Sequence, residues 1–525
     1  MHMIPPATLK AWLHDGAEIA LLDVREAGQH GEAHPFYAVP LPYSRLELDI
    51  ARLVPRPATR IVVFDDGDDA VAPRAMARLE ALGYANVALL AGGTAGWKAA
   101  GHALFAGVNV PSKTFGEMVE ETYHTPHISA AELAERRARG DNLVVLDGRT
   151  IDEYRRTTIP GSICCPNGEL PLRIAALAPD PTTTIVVNCA GRTRSIIGAQ
   201  TLRHFGVPNP VLALENGTQG WHLAGMALDR GADRLYPPAP EDLAEARARA
   251  ARHAERCGVV GIDAATLVAW SADPARTTFL CDIRTPAEFA AGSLPGARSA
   301  PGGQLMQTTD QYVGVRGARI VVFDAEGVRA PMTAAWLRQM GWEAFVLEEG
   351  LAARLPEAAG RPVSRPAAPP ALDLHGLAAL LAAGPATVLD LRPSMAYRAG
   401  HLRGATWTIR PRLAQLGAPT ADPVVLIAPE EGIAALAALD LAERGVRVDH
   451  WHAATPAAWQ EAGLAVEATP ASPRDADCID FLFFAHDRHS GNREAARQYL
   501  AWERGLTAQL DPQERAAWRF LPTGG

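Results

Sequence analysis

Eight residues, Asn188-Cys189-Ala190-Gly191-Arg192-Thr193-Arg194-Ser195, bring a thiol, two guanidinium groups and two hydroxyls into one short segment. A thiolate is a strong nucleophile, and positive charge with backbone N–H groups around it lowers its pKa. The segment follows the apolar run Ile185-Val186-Val187 and leads into Arg194 to Phe205. There Ile196, Ala199, Leu202 and Phe205 recur at helical spacing before Gly206. A strand-to-helix turn aims several N–H groups and the positive helix end at one point. The pattern predicts Cys189 as a low-pKa nucleophile with Arg192 and Arg194 as anion contacts. Ala190, Gly191, Thr193 and Ser195 complete the cradle, Gly191 supplying backbone angles that a closed loop needs.

The frame that must position this segment recurs four times. An apolar run ends in Asp-x-Arg at Asp23/Arg25, Asp147/Arg149, Asp282/Arg284 and Asp390/Arg392. A second apolar run follows, and the residue after it lies 42 positions beyond the Asp in three copies and 38 in the fourth. That residue is Asp65, Cys189, Asp324 and Ala428 in turn, so only the second copy has a nucleophile there. Because the Asp–Arg pair recurs without the cysteine, Asp147 and Arg149 are expected as a buried or half-buried support behind the loop. Asp324-Ala-Glu-Gly-Val-Arg329 brings an acid into the third loop where the second brings Arg192. Gly217-Thr-Gln-Gly-Trp221 echoes Gly93-Thr-Ala-Gly-Trp97; the fourth copy keeps Trp459 and the third lacks the motif.

Within each copy, β-branched runs alternate with Ala/Leu-rich stretches of helical period. This argues for α/β domains, each a parallel sheet flanked by helices. In the second copy Ser129-Ala-Ala-Glu132 reads as a capping box opening a helix that ends at Gly140, before a strand from Asn142 to Asp147. Domains are expected at 1–106, 127–230, 258–356 and 371–468, with a mainly helical tail at 469–525. Linkers are placed near 107–126, 231–257 and 355–370, the middle one with a helix around 241–256. The last, with Pro356, Pro362, Pro366, Pro369 and Pro370, reads as extended. The tail is expected to dock through Phe481-Leu-Phe-Phe484 and to form helices from Asn492 and Asp511.

Composition narrows the function. A net charge of −9 without a long Lys/Arg run argues against nucleic acid or an anionic membrane as partner. No apolar stretch is long enough for a transmembrane helix, and Met1-His-Met-Ile-Pro-Pro lacks the pattern of a signal peptide. Six cysteines in 525 residues fit a reducing cytoplasm better than a disulfide scaffold. Cys164 and Cys165, before Pro166, read as small fillers rather than resolving thiols, and Cys257, Cys281 and Cys478 as packing residues. His486 and His489 have no partner cluster, so no metal is expected. Asp65-Asp-Gly-Asp-Asp69 reads as an exposed acidic turn.

Asp147-x-Arg149, Ile159-Pro-Gly161, Cys189-x-Gly-Arg-x-Arg-Ser and Gly217-x-x-Gly-Trp221 together resemble the rhodanese family of sulfurtransferases across nearly all of the second copy. The resemblance implies that Cys189 takes a sulfane sulfur as a persulfide, without cofactor, and passes it to a thiol or cyanide-like acceptor. The other copies resemble rhodanese domains without the catalytic cysteine. The basic loop is more like those of thiosulfate-using members than of mercaptopyruvate-using ones. An inactive copy before an active one resembles tandem rhodaneses, which implies that copy one and the 107–126 linker wall the pocket. Two other readings are a phosphatase or arsenate reductase and a non-catalytic binding scaffold. Only four residues separate Cys189 from Arg194, one fewer than in tyrosine-phosphatase-like loops, which favours a single sulfur over a phosphate.

Overall fold

The computed structural model describes residues 2–67, 71–357, 366–489 and 491–522. Asp68 and Asp69 of the acidic turn, and Pro362 of the last linker, lie outside them. The second copy shows how the chain builds its sheets. Leu143–Asp147 and Thr184–Asn188 pair in parallel at the centre, flanked by Ile163–Cys164 on one side and by Val211–Leu214 and His127–Ile128 on the other. Alternate residues go to opposite faces. Val145 and Val186 join Ile128, Leu133, Leu214 and Trp221 on one side. Leu146, Ile185 and Val187 join Leu170, Ala199, Leu202 and Phe205 on the other. A sheet covered on both faces needs continuous apolar runs, which the sequence supplies.

Copies one and three have the same five-stranded order, and copy four keeps four strands of it. The missing edge strand of copy four is reduced to a single bridge between Ala371 and Trp451. In every copy the Asp-x-Arg pair closes a two-point fork: Arg Nε to Asp Oδ1 at 2.9–3.0 Å and Nη2 to Oδ2 at 2.6–2.7 Å. The same Nη2 reaches a backbone carbonyl eight residues on, in Ala33, Thr157, Gly292 and Gly400. A buried charge is tolerated when paired and hydrogen-bonded in this way.

The chain divides into two compact units. One comprises 1–11, 20–108 and 361–483, thus copies one and four with the start of the tail. Buried Arg410 joins these copies through Glu47 and Asp440. Here the tail is held by Ser394 N–H to Asp480 and Gly28 N–H to the Ile479 carbonyl. The other unit comprises 12–19, 109–360 and 484–525, thus copies two and three with the rest of the tail.

Two expectations change in this second unit. Part of the 107–126 linker is a helix, Val110–Tyr123, with one continuous stretch of buried residues from Ser112 to Val119. The helix Thr193–Phe205 is buried nearly all round rather than on one face. Val110–Tyr123 packs against it so closely that a Cβ on Gly116 would come within 2.7 Å of Thr193. From copy three, Trp336 donates to Thr201 Oγ1 at 2.8 Å. The tail's helices begin where expected: Arg493–Arg504, capped by Asn492, and Pro512–Ala516, capped by Asp511. The helix expected in the middle linker is Ala244–Arg256. Ser129 caps Ala130–Ala138, its side chain accepting from Glu132 N–H. Among the described residues no helix is long and apolar enough to cross a membrane.

Candidate active site

Cys189 follows the strand Thr184–Asn188 and precedes the helix Thr193–Phe205, and it is 2% exposed. Behind it, Asp147 accepts from Arg149, from Thr158 Oγ1 at 2.7 Å and from Asn188 Nδ2 at 3.0 Å. Below it, Gly217 packs so near that a Cβ there would fall 2.2 Å from the Cys189 carbonyl. Gly93 stands in the same relation to Asp65, and Gly350 to Asp324. The third copy therefore keeps the function of the Gly-x-x-Gly-Trp motif after losing its letters.

Copy three shows what the turn does to a side chain at the cysteine position. One oxygen of Asp324 accepts from Val328, Arg329 and Ala330 N–H at 2.7–3.2 Å, and the other from Gly327 N–H at 2.9 Å. In copy one, Asp65 likewise accepts from Gly67 and Ala72 N–H. The turn is an anion receptor, and copy two places a sulfur at its focus. Ser195 Oγ donates to the Cys189 sulfur at 3.1 Å. Burial nevertheless pushes the Cys189 thiol up, outweighing the Arg194 guanidinium and the Ser195 hydrogen bond that pull it down. The shift runs opposite to the lowered pKa expected from the loop, because burial penalises the thiolate.

The two arginines do not stand free beside the sulfur as the sequence reading expects. Arg192 forks onto Glu117 at 2.8 and 2.9 Å and also binds Glu120, both on Val110–Tyr123. Arg194 forks onto Glu153 at 2.7 Å through both Nη atoms. Against the burial that raises it, Arg194 and its neighbours hold Glu153 down to about 2. The same pair recurs in copy three as Arg329 and Glu288, at 2.9 Å. Glu326 of that copy falls opposite Gly191, not opposite Arg192, and binds Arg329 at 2.6 Å.

Thr193 N–H and Oγ1 both contact Glu503 Oε1, at 3.4 and 2.6 Å. Gly191 has no positive φ; space requires it, since a Cβ would meet Glu503 Oε2 at 2.9 Å and Tyr499 at 3.1 Å. Gly148 and Gly198 are likewise kept small by Asn167, whose Nδ2 donates to the Arg194 carbonyl at 2.9 Å. The residues closing over the loop thus come from Val110–Tyr123 and Arg493–Arg504, while copy one belongs to the other unit. Sequence reasoning missed Glu117, Glu120, Glu153, Asn167 and Glu503. Glu153 had a signal as the Glu of a Thr150 capping box, and Glu503 one as an acid on the apolar stripe of its helix. Cys164 and Cys165 are fully buried, and burial pushes Cys164 up to about 12 and Cys165 well up.

The profile of the rhodanese-like domain matches residues 5–100, 129–224 and 263–354. A crystal structure of thiosulfate sulfurtransferase from Pseudomonas aeruginosa is similar over 99% of this chain and 100% of that one, at 43% identity and a TM-score of 0.90. An HTH-type transcriptional regulator of Mycobacterium tuberculosis is 36% identical over 107 residues, 20% of this chain. The match spans 45% of that regulator's length.

Proposed function

The chain belongs to the rhodanese-like family, and on that premise we propose that it is a sulfurtransferase acting through a persulfide on Cys189. The observation that carries this reading is the anion-receiving turn, filled by a carboxylate in copies one and three and centred on a thiol in copy two. Similarity to a thiosulfate sulfurtransferase along the whole chain supports the same reaction class.

In the forward half-reaction the Cys189 thiolate attacks the sulfane sulfur of a donor such as thiosulfate. A sulfur–sulfur bond forms to Cys189, the bond to the sulfonate sulfur breaks, and sulfite leaves with the electron pair. The N–H groups of the turn stabilise the charge on the terminal persulfide sulfur. A thiol or cyanide-like acceptor then attacks that sulfur, and the Cys189 thiolate is regenerated. No cofactor enters this scheme. The partners are small molecules rather than nucleic acid or membrane, and a reducing cytoplasm keeps Cys189 available.

Ser195 helps to hold the sulfur, and Ala190, Gly191 and Thr193 shape the turn. Arg192 and Arg194 fix that shape through their carboxylates, and Asp147 with Arg149 supports the strand end. The test is mass spectrometry after incubation with thiosulfate, beside a phosphatase assay. Cys189 should gain one sulfur atom, and Cys189→Ser should show no adduct and no transfer. A persulfide mainly on Cys164 or Cys165 would refute the assignment. Phosphate release without sulfur transfer would favour the phosphatase reading, and neither activity would favour a scaffold.

A further inference from the structure

A dianionic donor needs positive charge near Cys189, and both loop arginines are already engaged by carboxylates. Two cations brought by other segments are not. Lys113, from Val110–Tyr123, is 5% exposed, and its ammonium lies 4.8 Å from the Tyr499 ring centroid and 4.7 Å from that of Trp502. It has no hydrogen-bond partner among the described residues. Arg488 lies 4.4 Å over the same Tyr499 ring, with its buried Nε unpartnered. That ring stands over Gly191, where a Cβ would meet it at 3.1 Å. Beside it is Gln219, 2% exposed, with both amide atoms buried and unpartnered. Aromatic faces compensate a buried ammonium only in part. Arg488 Nη1 donates to the Ala485 carbonyl at 3.0 Å, but among the described residues neither cation has a carboxylate hydrogen-bonded to it; such cations and an unpartnered amide around Cys189 are the signature of a ligand site.

We propose that Lys113, Arg488 and the Gln219 amide receive the anionic group of the sulfur donor: the sulfonate of thiosulfate before transfer, and sulfite after it. The proposal rests on the sulfurtransferase reading and names the cations that select its substrate. The guanidinium offers a planar fork to two oxygens, and the ammonium a point charge to the third. Burial lowers Lys113 to about 8, with Arg488 and Arg194 adding to that effect and Glu503 opposing it. The ammonium is therefore still charged at neutral pH.

The test compares kcat/KM for thiosulfate with that for 2-hydroxyethyl hydropersulfide, a donor without a sulfonate. Lys113→Met and Arg488→Gln should each lower the thiosulfate-to-persulfide ratio about ten- to hundredfold, the scale of one charged hydrogen bond. Lys113→Arg should recover much of it. Lys113→Gln serves as a second variant, and melting curves establish that each is folded. In parallel, sulfite is titrated by calorimetry into the Cys189→Ser chain with and without Lys113→Met. Folded variants with an unchanged donor ratio, or sulfite bound equally well without Lys113, would overturn the proposal. If the wild-type chain transfers sulfur from neither donor, the sulfurtransferase reading fails. The sulfite titration still decides the anion site: binding that depends on Lys113 supports it, and no binding refutes it.

Discussion

Glu503 lays one carboxylate oxygen against both the amide and the hydroxyl of Thr193, at the first turn of the helix that follows Cys189. A residue 310 positions away thus does in copy two what Asp324 does within its own loop in copy three. Glu503→Ala leaves the Thr193 donors buried without an acceptor. Hydrogen bonds to charged groups are worth about 1.5–3 kcal/mol each, so urea unfolding should show a loss of about 3 kcal/mol. Glu503→Gln keeps the acceptor but removes a charge that raises the Cys189 thiol pKa. Alkylation of Cys189 by iodoacetamide should then rise at lower pH than in the wild type. An unmoved alkylation profile would show that Glu503 does not act on the sulfur.

Arg192→Ala should act on stability more than on the donor. Glu117 is 7% exposed in its side chain, and removing its partner strands a buried carboxylate. Breaking a buried pair costs about 3–5 kcal/mol, read as a lower unfolding midpoint. The ratio between thiosulfate and a sulfonate-free donor should not change. A raised KM for thiosulfate at unchanged stability would mean that Arg192 faces the substrate after all.

Asp324→Cys in a Cys189→Ser background should not restore turnover. The variant keeps the turn but removes the acceptor of four N–H groups, a loss of about 2 kcal/mol or more. Glu326, bound to Arg329, stands where copy two has Gly191, so a thiolate there would meet a carboxylate. Measurable sulfite release from thiosulfate by this variant would show that a cysteine in the turn is sufficient.

If Lys113 receives the donor's anionic group, thiosulfate transfer should have an alkaline limit. Its charge is present below about 8 and lost above it, facing Arg488, Arg194, Glu503 and Asp310. Thiosulfate kcat/KM relative to that of a sulfonate-free donor should therefore fall as pH rises through that value, since ionisation of Cys189, itself pushed up by burial, acts on both donors alike. For stability the sign is opposite: a lysine lowered from 10.5 to about 8 weakens the fold below that window and ceases to do so as pH rises across it. Lys113→Arg, charged throughout, should extend turnover to higher pH. An unchanged alkaline limb would assign that limb to another group.

The sheets, the Asp–Arg forks and the place of Cys189 are legible in the sequence because each is written within a few residues. Asp147 and Arg149 are two apart, and the strand-to-helix turn is continuous around Cys189. What closes the site is not local. Glu117 lies 75 positions before Arg192 and Glu503 310 after Thr193. One signal was present: on Arg493–Arg504, Glu503 shares a helical face with Ala496, Tyr499 and Leu500, and an acid on a buried stripe needs a partner. The helix within the linker near 107–126 is hidden for a related reason. Its polar Ser112, Lys113, Thr114 and Glu117 suggest solvent, but they are buried against charged and aromatic partners.

Because Tyr499 and Glu503 come from beyond all four sheets, their part of the cover over the Cys189 turn is synthesised after every sheet of the chain. Chains emerge from the ribosome N-terminal first and fold domain by domain. Copy two can assemble its sheet and expose its thiol well before residues 484–504 exist to cover it. During that interval the turn has the cover of Val110–Tyr123 but lacks that of Arg493–Arg504, and the thiol is more open to oxidants and electrophiles than in the finished chain. Translation itself thus sets the order in which this protein becomes shielded, and a stalled or truncated chain would display Cys189 as a marker of its own incompleteness.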